Sequence, residues 1–417
     1  MSADLSVLHQ LGPNPLTLDR PSTKILEWHI ITPEYPPELG GVSDYTSQLA
    51  AELARQGDLV DVWCANHGAQ LPANDSTTPG VTVHRQCRGF AAADLRRLGE
   101  QLDAYPAPRR ILVQWVPHGY GYRSMNLGFC WWLWRRAARH GDRVELIVHE
   151  PFLSFKWTSA QQNAAALAHR CMTVLLLHSA AHVWITIPGW EPLLRKYAIG
   201  RKLGFQWMPI FSNIPRASDE AQISAVRRRY TDGSRPLIGH FGTFGSGIAG
   251  LLEPILLTLG RDLVEQTFLL MGEGSEAFRQ KLLRKAPRLE HVVRATGALS
   301  AEELAQHLCA CDLLVQPYPD GVSTRRGSFM AGLINGRPII TTTGWLTEPL
   351  WHQTDAVQLA PAGETEAFLE QVRRLRADPA ERRRLSAAAS ALYQERFDIS
   401  HTISSLRQPQ NATRRGD

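Results

Sequence analysis

Residues 313–334 read LLVQPYPDGVSTRRGSFMAGLI, and no other stretch is as informative about the fold. Its first residues, Leu313–Gln316, have the short apolar pattern of a buried strand, and the Asp-Gly pair that follows forms a turn. Ser323 or Thr324 then supplies an N-cap for the apolar helix after the turn. A strand, a turn and a helix in this order are part of a βαβ unit, so the stretch predicts a parallel sheet.

The same alternation of short strands and longer helices extends along most of the 417 residues. Helix candidates such as Val42–Gln56 and Met125–Arg139 lie between the strands. This alternation predicts an α/β fold with doubly wound parallel sheets. The predicted strands are, in chain order, Ile25–Ile31, Val60–Cys64, Val81–His84, Ile111–Val116, Val144–His149, Val183–Ile187, Gln206–Ile210, Leu237–Phe241, Thr267–Met271, Val292–Ala295, Leu313–Gln316, Pro338–Thr342 and Ala356–Leu359.

The alternation stops at Ser212–Arg235 and starts again at Pro236, which predicts two Rossmann-like domains facing across a cleft. Ligands bind at the carboxyl ends of the strands in such sheets, so we expect a site between the domains. The expected segments are a loose arm at 1–23, a first domain at 24–211, a linker at 212–235, a second domain at 236–395 and a disordered tail at 408–417.

Composition excludes several classes of protein. Hydrophobic residues make up 44% of the chain and charged residues 20%, which excludes a disordered chain, a fibre and a small disulfide-rich scaffold. We expect no secretory signal and no membrane-spanning helix, because no apolar run reaches the roughly 20 residues that a bilayer requires. The six cysteines form no C-x-x-C pair, which indicates reduced thiols and a cytoplasmic protein. The net charge of +5 permits contact with phosphates or an anionic membrane, and we expect no nucleic-acid partner.

In each domain, a glycine-rich turn follows the first predicted strand. Gly40 and Gly41 open the first helix, where paired glycines let backbone amides approach a ligand and the helix N-terminus favours anions. A plain tight turn capped by Ser43 or Asp44 is an equally good interpretation. The turn after His240 does not match G-x-G-x-x-G, so a dinucleotide site is poorly supported.

Three basic residues occupy positions that indicate chemistry. His149 ends a predicted strand and should therefore face the cleft. No H-E-x-x-H or zinc spacing accompanies it, so we expect no metal site. Arg325 and Arg326 fall where we expect the first turn of a helix, where the dipole disfavours cations. A bound anion would offset that penalty, and the alternative is that both are solvated helix residues.

Two aromatic segments of the first half are candidates for acceptor or membrane contact. Residues 115–122 lie at the end of a strand and could line an acceptor pocket or form a structured loop. Residues 126–136 combine aromatic and basic residues that could dock on a membrane surface. The alternative is a core helix with two solvated arginines at its C-terminal end, where the dipole favours them.

Further motifs occur in a fixed order along nearly the whole chain: Pro36–Val42, His149, Ser212–Pro215, Leu270–Gly274, Thr296–Leu304, Cys311–Pro317, Asp320–Gly332 and Gly336–Ile340. Each is weak alone. Their order and spacing together resemble the family-four, glycogen-synthase-like glycosyltransferases with the GT-B fold.

The resemblance implies transfer of a sugar from a nucleotide-sugar donor, such as a UDP- or GDP-sugar, with retention of the anomeric configuration. It implies no metal and no cofactor, because the nucleotide sugar is a substrate. The acceptor would be a glycan or a lipid-linked glycan, with peripheral contact at the inner face of the membrane as an option. A last helix at 396–407 would cross back to the first domain.

The resemblance also implies roles for individual residues. His149, Asp320 and Arg325 would be catalytic, with Asp320 holding hydroxyls of the donor sugar. The expected donor-binding residues are Gly40, Gly41, Gly242, Thr243, Ala298, Leu299, Gly321, Val322, Ser323, Thr324, Arg326 and Ser328. The expected acceptor-binding residues are Asp44, Tyr45, His118, Tyr120 and Glu150.

Two departures from the family pattern bear on activity. Ser328 stands where the E-x7-E motif has its second acid, and residues 240–250 lack the Arg and Lys that normally pair with the diphosphate. We hypothesise that Arg325 or Arg326 supplies that charge. The alternative is a degenerate relative that serves as a binding or partner subunit. An oxidoreductase would need a G-x-G-x-x-G with a later acid, and the sequence offers no such pair.

Overall fold

A computed structural model describes residues 25–38, 40–66, 74–75, 78–232, 235–262 and 266–408. The predicted arm at 1–23 lies outside the described residues, as do residues 409–417 of the predicted tail. The described chain forms two α/β domains, each built on one sheet with helices on both faces. This confirms the predicted fold class.

The first sheet has the strand order β3-β4-β2-β1-β5-β6-β7-β8. All neighbours are parallel except β3 and β4, which pair antiparallel. Its inner strands are buried along nearly their whole length, as a sheet covered on both faces requires. The strands are β1 (Glu27–Thr32), β2 (Leu59–Ala65), β3 (Asn74–Asp75), β4 (Val81–Cys87), β5 (Arg110–Trp115), β6 (Arg143–Val148), β7 (Ala180–Ile185) and β8 (Phe205–Trp207).

The helices of the first domain connect these strands in βαβ order. They are α1 (Gly41–Arg55), α2 (Ala92–Leu102), α3 (Leu127–Arg139), α4 (Ala160–Ser179) and α5 (Trp190–Arg195). Short 3₁₀ turns at Pro117–Gly119 and Tyr122–Ser124 precede α3. No helix within the described ranges has the length and apolar character that a bilayer crossing needs.

The second sheet is parallel throughout, with the order β11-β10-β9-β12-β13-β14. Its strands are β9 (Leu237–Phe241), β10 (Thr267–Met271), β11 (Val293–Ala295), β12 (Leu313–Gln316), β13 (Ile339–Thr343) and β14 (Gln358–Pro361). Its helices are α7 (Ser246–Asp262), α8 (Ser275–Lys285), α9 (Ala301–Ala310), α10 (Gly327–Ile334), α11 (Pro349–Gln353), α12 (Thr365–Ala377) and α13 (Pro379–Arg396), with a 3₁₀ turn at Pro287–His291.

Two helices lie in the segments where the chain passes from one domain to the other. The segment expected to be a linker contains α6 (Glu220–Tyr230), which packs against α9. Arg227 of α6 donates to the carbonyl oxygen of Ala310 (2.9 Å), so this helix is attached to the second domain. The last helix, α14 (Ile399–Arg407), packs against α1 of the first domain. There the Arg110 guanidinium donates to the carbonyl oxygen of Leu406 (2.6 Å).

Candidate active site

A cavity of about 370 Å³ lies between the two domains at the carboxyl ends of their strands. From the first domain it is lined by the start of α1, by His118 and by the residues that follow β6, and from the second domain by Arg325 and Gly327. The predicted residues that the fold brings together in its wall are Gly40, Gly41, Tyr45, His118, His149, Glu150 and Arg325.

His149 is held in a fixed orientation at the end of β6. Its Nε2 lies 2.8 Å from Oε1 of Gln114, which leaves Nδ1 as the ring nitrogen for a ligand. The Tyr45 ring meets the imidazole edge-on at 5.1 Å, and Tyr45 in turn stacks on Phe211. Burial lowers the pKa of His149 to about 4. His149 is therefore neutral near pH 7, where it can offer a hydrogen bond but no charge.

The glycine loop at the start of α1 binds a carboxylate of the protein itself, that of Glu34. Oε1 of Glu34 accepts hydrogen bonds from the backbone amides of Val42 (3.2 Å) and Ser43 (3.0 Å). A Cβ on Gly40 would lie 2.2 Å from this oxygen, which explains why glycine is needed there. The Glu34 carboxylate therefore occupies the helix N-terminus at which the family resemblance implied donor binding.

Arg325 reaches across the cleft and contacts carboxylates of both domains. It lies 2.7 Å from Oδ2 of Asp320 in its own domain and 3.3 Å from Oε1 of Glu150 after β6. Arg326 pairs with the other oxygen of Asp320, and its guanidinium lies 4.7 Å from the centre of the Tyr318 ring. Asp320 is thus held between two arginines.

The two arginines precede the helix, contrary to the expectation that they occupy its first turn. α10 begins at Gly327, and Arg326 is its N-cap residue, so neither Ser323 nor Thr324 caps it. The backbone amides of two expected donor-binding residues, Gly321 and Val322, are engaged within the protein. Gly321 N donates to the Tyr318 carbonyl (3.1 Å) and Val322 N to the Thr342 carbonyl (2.7 Å). Both are unavailable to a ligand in this conformation.

Thr324 is buried and links the two domains by hydrogen bonds. This differs from the expectation that it contacts the donor. Its Oγ1 donates to the carbonyl oxygen of Thr186 in the first domain (2.7 Å) and approaches Oε1 of Glu348 in the second (2.6 Å). The same Glu348 oxygen accepts from the Thr324 amide (2.8 Å). Burial raises the pKa of Glu348. Ser323 beside it is also fully buried.

The remaining donor candidates lie at the carboxyl ends of the second sheet. Thr243 is exposed in the turn after β9, and Gly247 at the start of α7 faces Pro319, so this turn borders the Asp320 loop. The Gly242 amide donates to the carbonyl oxygen of Met271 (3.2 Å). Ala298 and Leu299 follow β11, just before α9. Ser328 is paired with the Tyr318 hydroxyl (2.8 Å).

Among the acceptor candidates, one is misplaced. Tyr120 is fully buried, and its hydroxyl donates to the Gln114 carbonyl oxygen (2.9 Å), so it belongs to the core and cannot line a pocket. His118 is exposed and lies 3.6 Å from Glu150. Asp44 accepts from Nδ2 of Asn213 (2.8 Å) at the edge of the cavity. Within the described residues, no group of three or more His, Cys, Asp or Glu side chains is arranged to hold a metal.

Residues 235–378, which hold the second sheet, match the family model described as glycosyl transferases group 1. The whole structure is similar to sucrose-phosphate synthase from Thermosynechococcus elongatus, with a TM-score of 0.69, 19% identity and coverage of 91% of this chain and 97% of that one. The fold is that of the GT-B glycosyltransferases. The match of the second domain to a glycosyltransferase family model agrees with the family-four resemblance seen in the sequence.

Two other solved GT-B structures carry nucleotides. Anabaena Alr3699/HepE in complex with UDP and glucose has a TM-score of 0.66 and 16% identity, and the match covers 91% of this chain and 98% of that one. The catalytic domain of starch synthase IV from Arabidopsis thaliana bound to ADP and acarbose has a TM-score of 0.62 and 15% identity, covering 92% and 99%. A search of curated protein sequences finds no match. The family model of the second domain and the fold of the whole chain are both those of glycosyltransferases.

Within this GT-B fold, helix α3 corrects one further expectation. Arg136 is buried and forms ion pairs with Asp142 (2.5 Å) and Asp103 (2.8 Å), so it is not the solvated residue that the core-helix interpretation expected. Phe129 and Leu133 face the core, whereas Trp131 is half exposed. α3 is therefore a core helix with one open face.

Three residues of the site were not predicted from the sequence. Glu34 gave no signal because a lone acid in a proline-rich loop resembles a solvated residue. Gln114 lies inside a buried strand, where nothing in the sequence marks it as the partner of His149. Glu348 stands just before α11 and is marked only by the proline after it. Their roles depend on tertiary contacts between distant segments.

Proposed function

We propose that the protein transfers a sugar from a UDP- or GDP-sugar to a glycan or lipid-linked glycan in the cytoplasm, with retention of configuration and without a metal or cofactor. The observation that carries this proposal is the interdomain cavity, in which His149 and Glu150 of the first domain meet Arg325 of the second. The family match over the second domain supports the donor class. The six cysteines are unpaired, which agrees with a reducing compartment.

The chemistry follows from the groups in the cavity. The bond between the anomeric carbon and the diphosphate oxygen breaks, and the acceptor oxygen forms the new bond while its proton leaves with the diphosphate. Arg325 exchanges its carboxylate partners for diphosphate oxygens and stabilises the charge that develops on them. Asp320, released from Arg325, binds hydroxyls of the donor sugar. Neutral His149, oriented by Gln114, hydrogen-bonds the sugar through Nδ1.

A second candidate is a glycosyltransferase-like binding subunit without catalysis. The turn from Phe241 to Ser246 carries no cation, and Arg325 and Arg326 are both bound to Asp320. A protein in which these contacts persist would bind a nucleotide without stabilising its departure. The two candidates differ in turnover and not in fold.

The experiment is calorimetric titration of the protein with UDP, GDP, ADP and NAD, followed by an assay of nucleoside diphosphate release from the matching donor. We expect one nucleoside diphosphate to bind and NAD not to bind. Asp320→Ala should retain nucleotide binding and lose turnover. Binding without turnover would favour the subunit alternative, and no binding of any nucleotide would overturn the proposed donor site.

A further inference from the structure

Large apolar side chains are concentrated on one exposed surface of the first domain. Trp157 is fully exposed, at 105% of its reference area, and Tyr122 is 77% exposed. Between about half and three-fifths of the surface of Leu167, Phe155, Trp131 and Leu127 is exposed as well. We call these six residues, with the cations beside them, the apolar-basic face.

The face is continuous because three chain segments meet at His169 of α4. Its Nε2 lies 2.7 Å from the carbonyl oxygen of Ser124, in the turn that carries Tyr122 and leads into α3. Its Nδ1 accepts from the amide of Leu153, in the loop that carries Phe155 and Trp157. α3, with Leu127 and Trp131 one turn apart, packs directly against α4.

Cations accompany the rings, and acids do not occur in the segments that form the face. The guanidinium of Arg170 lies 3.9 Å from the Phe155 ring centre, that of Arg135 lies 4.8 Å from Trp131, and that of Arg123 lies 5.1 Å from Tyr122. Lys156 is exposed between Phe155 and Trp157. Residues 118–141 and 151–190 contain no Asp or Glu. The face therefore offers apolar and positive groups together.

We propose that the apolar-basic face docks on an anionic lipid bilayer. Trp and Tyr side chains suit the boundary between headgroups and acyl chains, and Arg and Lys suit anionic headgroups. A second copy of the chain is a poorer occupant, because a two-fold contact through this face would bring like charges together. Arg123, Arg135 and Lys156 would lie against a surface that carries the same cations.

The face adjoins the acceptor side of the cavity. Glu150 lines the cavity, and the loop that starts there leads within a few residues to Phe155 and Trp157. His118 lines it too, four residues before Tyr122. Docking would open this side of the cavity toward the membrane, which favours a lipid-linked acceptor. That last step rests on the proposed transferase function, whereas the docking itself does not.

The test is co-sedimentation of the full chain with phosphatidylcholine vesicles, with and without phosphatidylglycerol, together with intrinsic tryptophan fluorescence. We expect binding only with the anionic lipid, a blue shift of emission, and weaker binding at high salt. The double variant Phe155→Ser/Trp157→Ser should lose at least about tenfold in partitioning and most of the blue shift. The variant Arg123→Gln/Lys156→Gln should lose about fivefold for each cation removed.

The control is Trp345→Ser, which removes a tryptophan of 75% exposure from the second domain and should leave vesicle binding unchanged. Thermal unfolding of each variant excludes misfolding as the cause of a loss. The proposal is overturned if neither vesicle binds, if binding ignores anionic lipid, or if Trp345→Ser has the same effect as the double variant. It is also overturned if the wild type forms a dimer that Phe155→Ser/Trp157→Ser dissociates. None of these readouts requires donor or turnover.

Discussion

Replacing Arg325 by Gln, with Arg326→Gln as the matched control, tests the cavity directly. The two arginines are neighbours and share Asp320 as a partner, yet they differ in position. Arg325 lines the cavity and reaches Glu150 in the opposite domain, with one-fifth of its side chain exposed. Arg326 rests on the Tyr318 ring. If diphosphate binding depends on position, only the first substitution should be severe.

The magnitude follows from the contacts that Arg325 can exchange. A hydrogen bond between charged groups contributes about 1.5–3 kcal/mol, and loss of one preorganised donor to developing charge typically lowers kcat about 100- to 1,000-fold. Leaving Glu150 without its partner costs little, since nearly half of its side chain is exposed to water. We therefore expect kcat/KM to fall about 100- to 1,000-fold in Arg325→Gln and less than about tenfold in Arg326→Gln.

The assay is release of nucleoside diphosphate from the donor identified by calorimetry, measured with the nucleotide titration repeated on each variant. Thermal unfolding should show both variants folded. Arg325→Gln within about threefold of the wild type would refute the assignment of the diphosphate to this side chain. An equally large loss in Arg326→Gln would refute the argument from position, because it would show that both residues act only through Asp320.

Three further predictions concern stability. Burial lowers the pKa of His149 to about 4, below the value near 6.5 of an unfolded histidine, so the stability that neutral His149 contributes is present above pH 6.5 and lost as the pH falls toward 4. His149→Phe should therefore lose roughly 1.5 kcal/mol less unfolding free energy than the wild type between about pH 6.5 and pH 5. Urea titrations at both pH values measure this loss, and an equal loss in the two proteins would contradict the prediction. Gly40→Ala should push the Glu34 carboxylate off the helix and destabilise the protein by about 1 kcal/mol, whereas Gly41→Ala, with open space around its new Cβ, should be neutral or stabilising by about 0.5 kcal/mol, as urea midpoints will show. Thr324→Val removes a buried hydroxyl between the domains and should lower the unfolding free energy by about 2–3 kcal/mol in the same assay. A smaller decrease than that of Gly40→Ala would mean that these hydrogen bonds contribute little to stability.

The fold was predictable because its signal is local. A short apolar run between turn residues has few alternatives, so the predicted limits of β9, β10 and β12 coincide with the observed ones, and every predicted strand overlaps an observed strand. β3 was missed because it has two polar residues and depends on pairing with β4. The predicted start of α10 was wrong because the Thr324 hydroxyl and amide bond distant residues instead of capping the helix, which begins only at Gly327.

The site was predictable only where topology alone determines position. His149, Glu150 and Arg325 follow strand ends, and parallel sheets gather strand ends at one edge, so these residues meet in the cavity. Tyr120 also follows a strand, but its ring turns inward, and an aromatic residue in a loop gives no sign of that choice. Which amides stay free is a tertiary property as well, and Val322 shows this most clearly.

The missing cations of residues 240–250 have an explanation in the charges of the cavity. Glu34 fills the N-terminus of α1, so that end of the cavity can no longer attract phosphate, and the turn after β9 offers no cation. In the proposed reaction the positive charge comes instead from Arg325, which is held between Asp320 and Glu150. These carboxylates bind the Arg325 guanidinium as phosphate oxygens would. When the donor binds, its diphosphate would therefore replace a carboxylate as the anionic partner of Arg325. Such an exchange costs less than ordering a solvated arginine, because the side chain is already fixed where the leaving group must be stabilised.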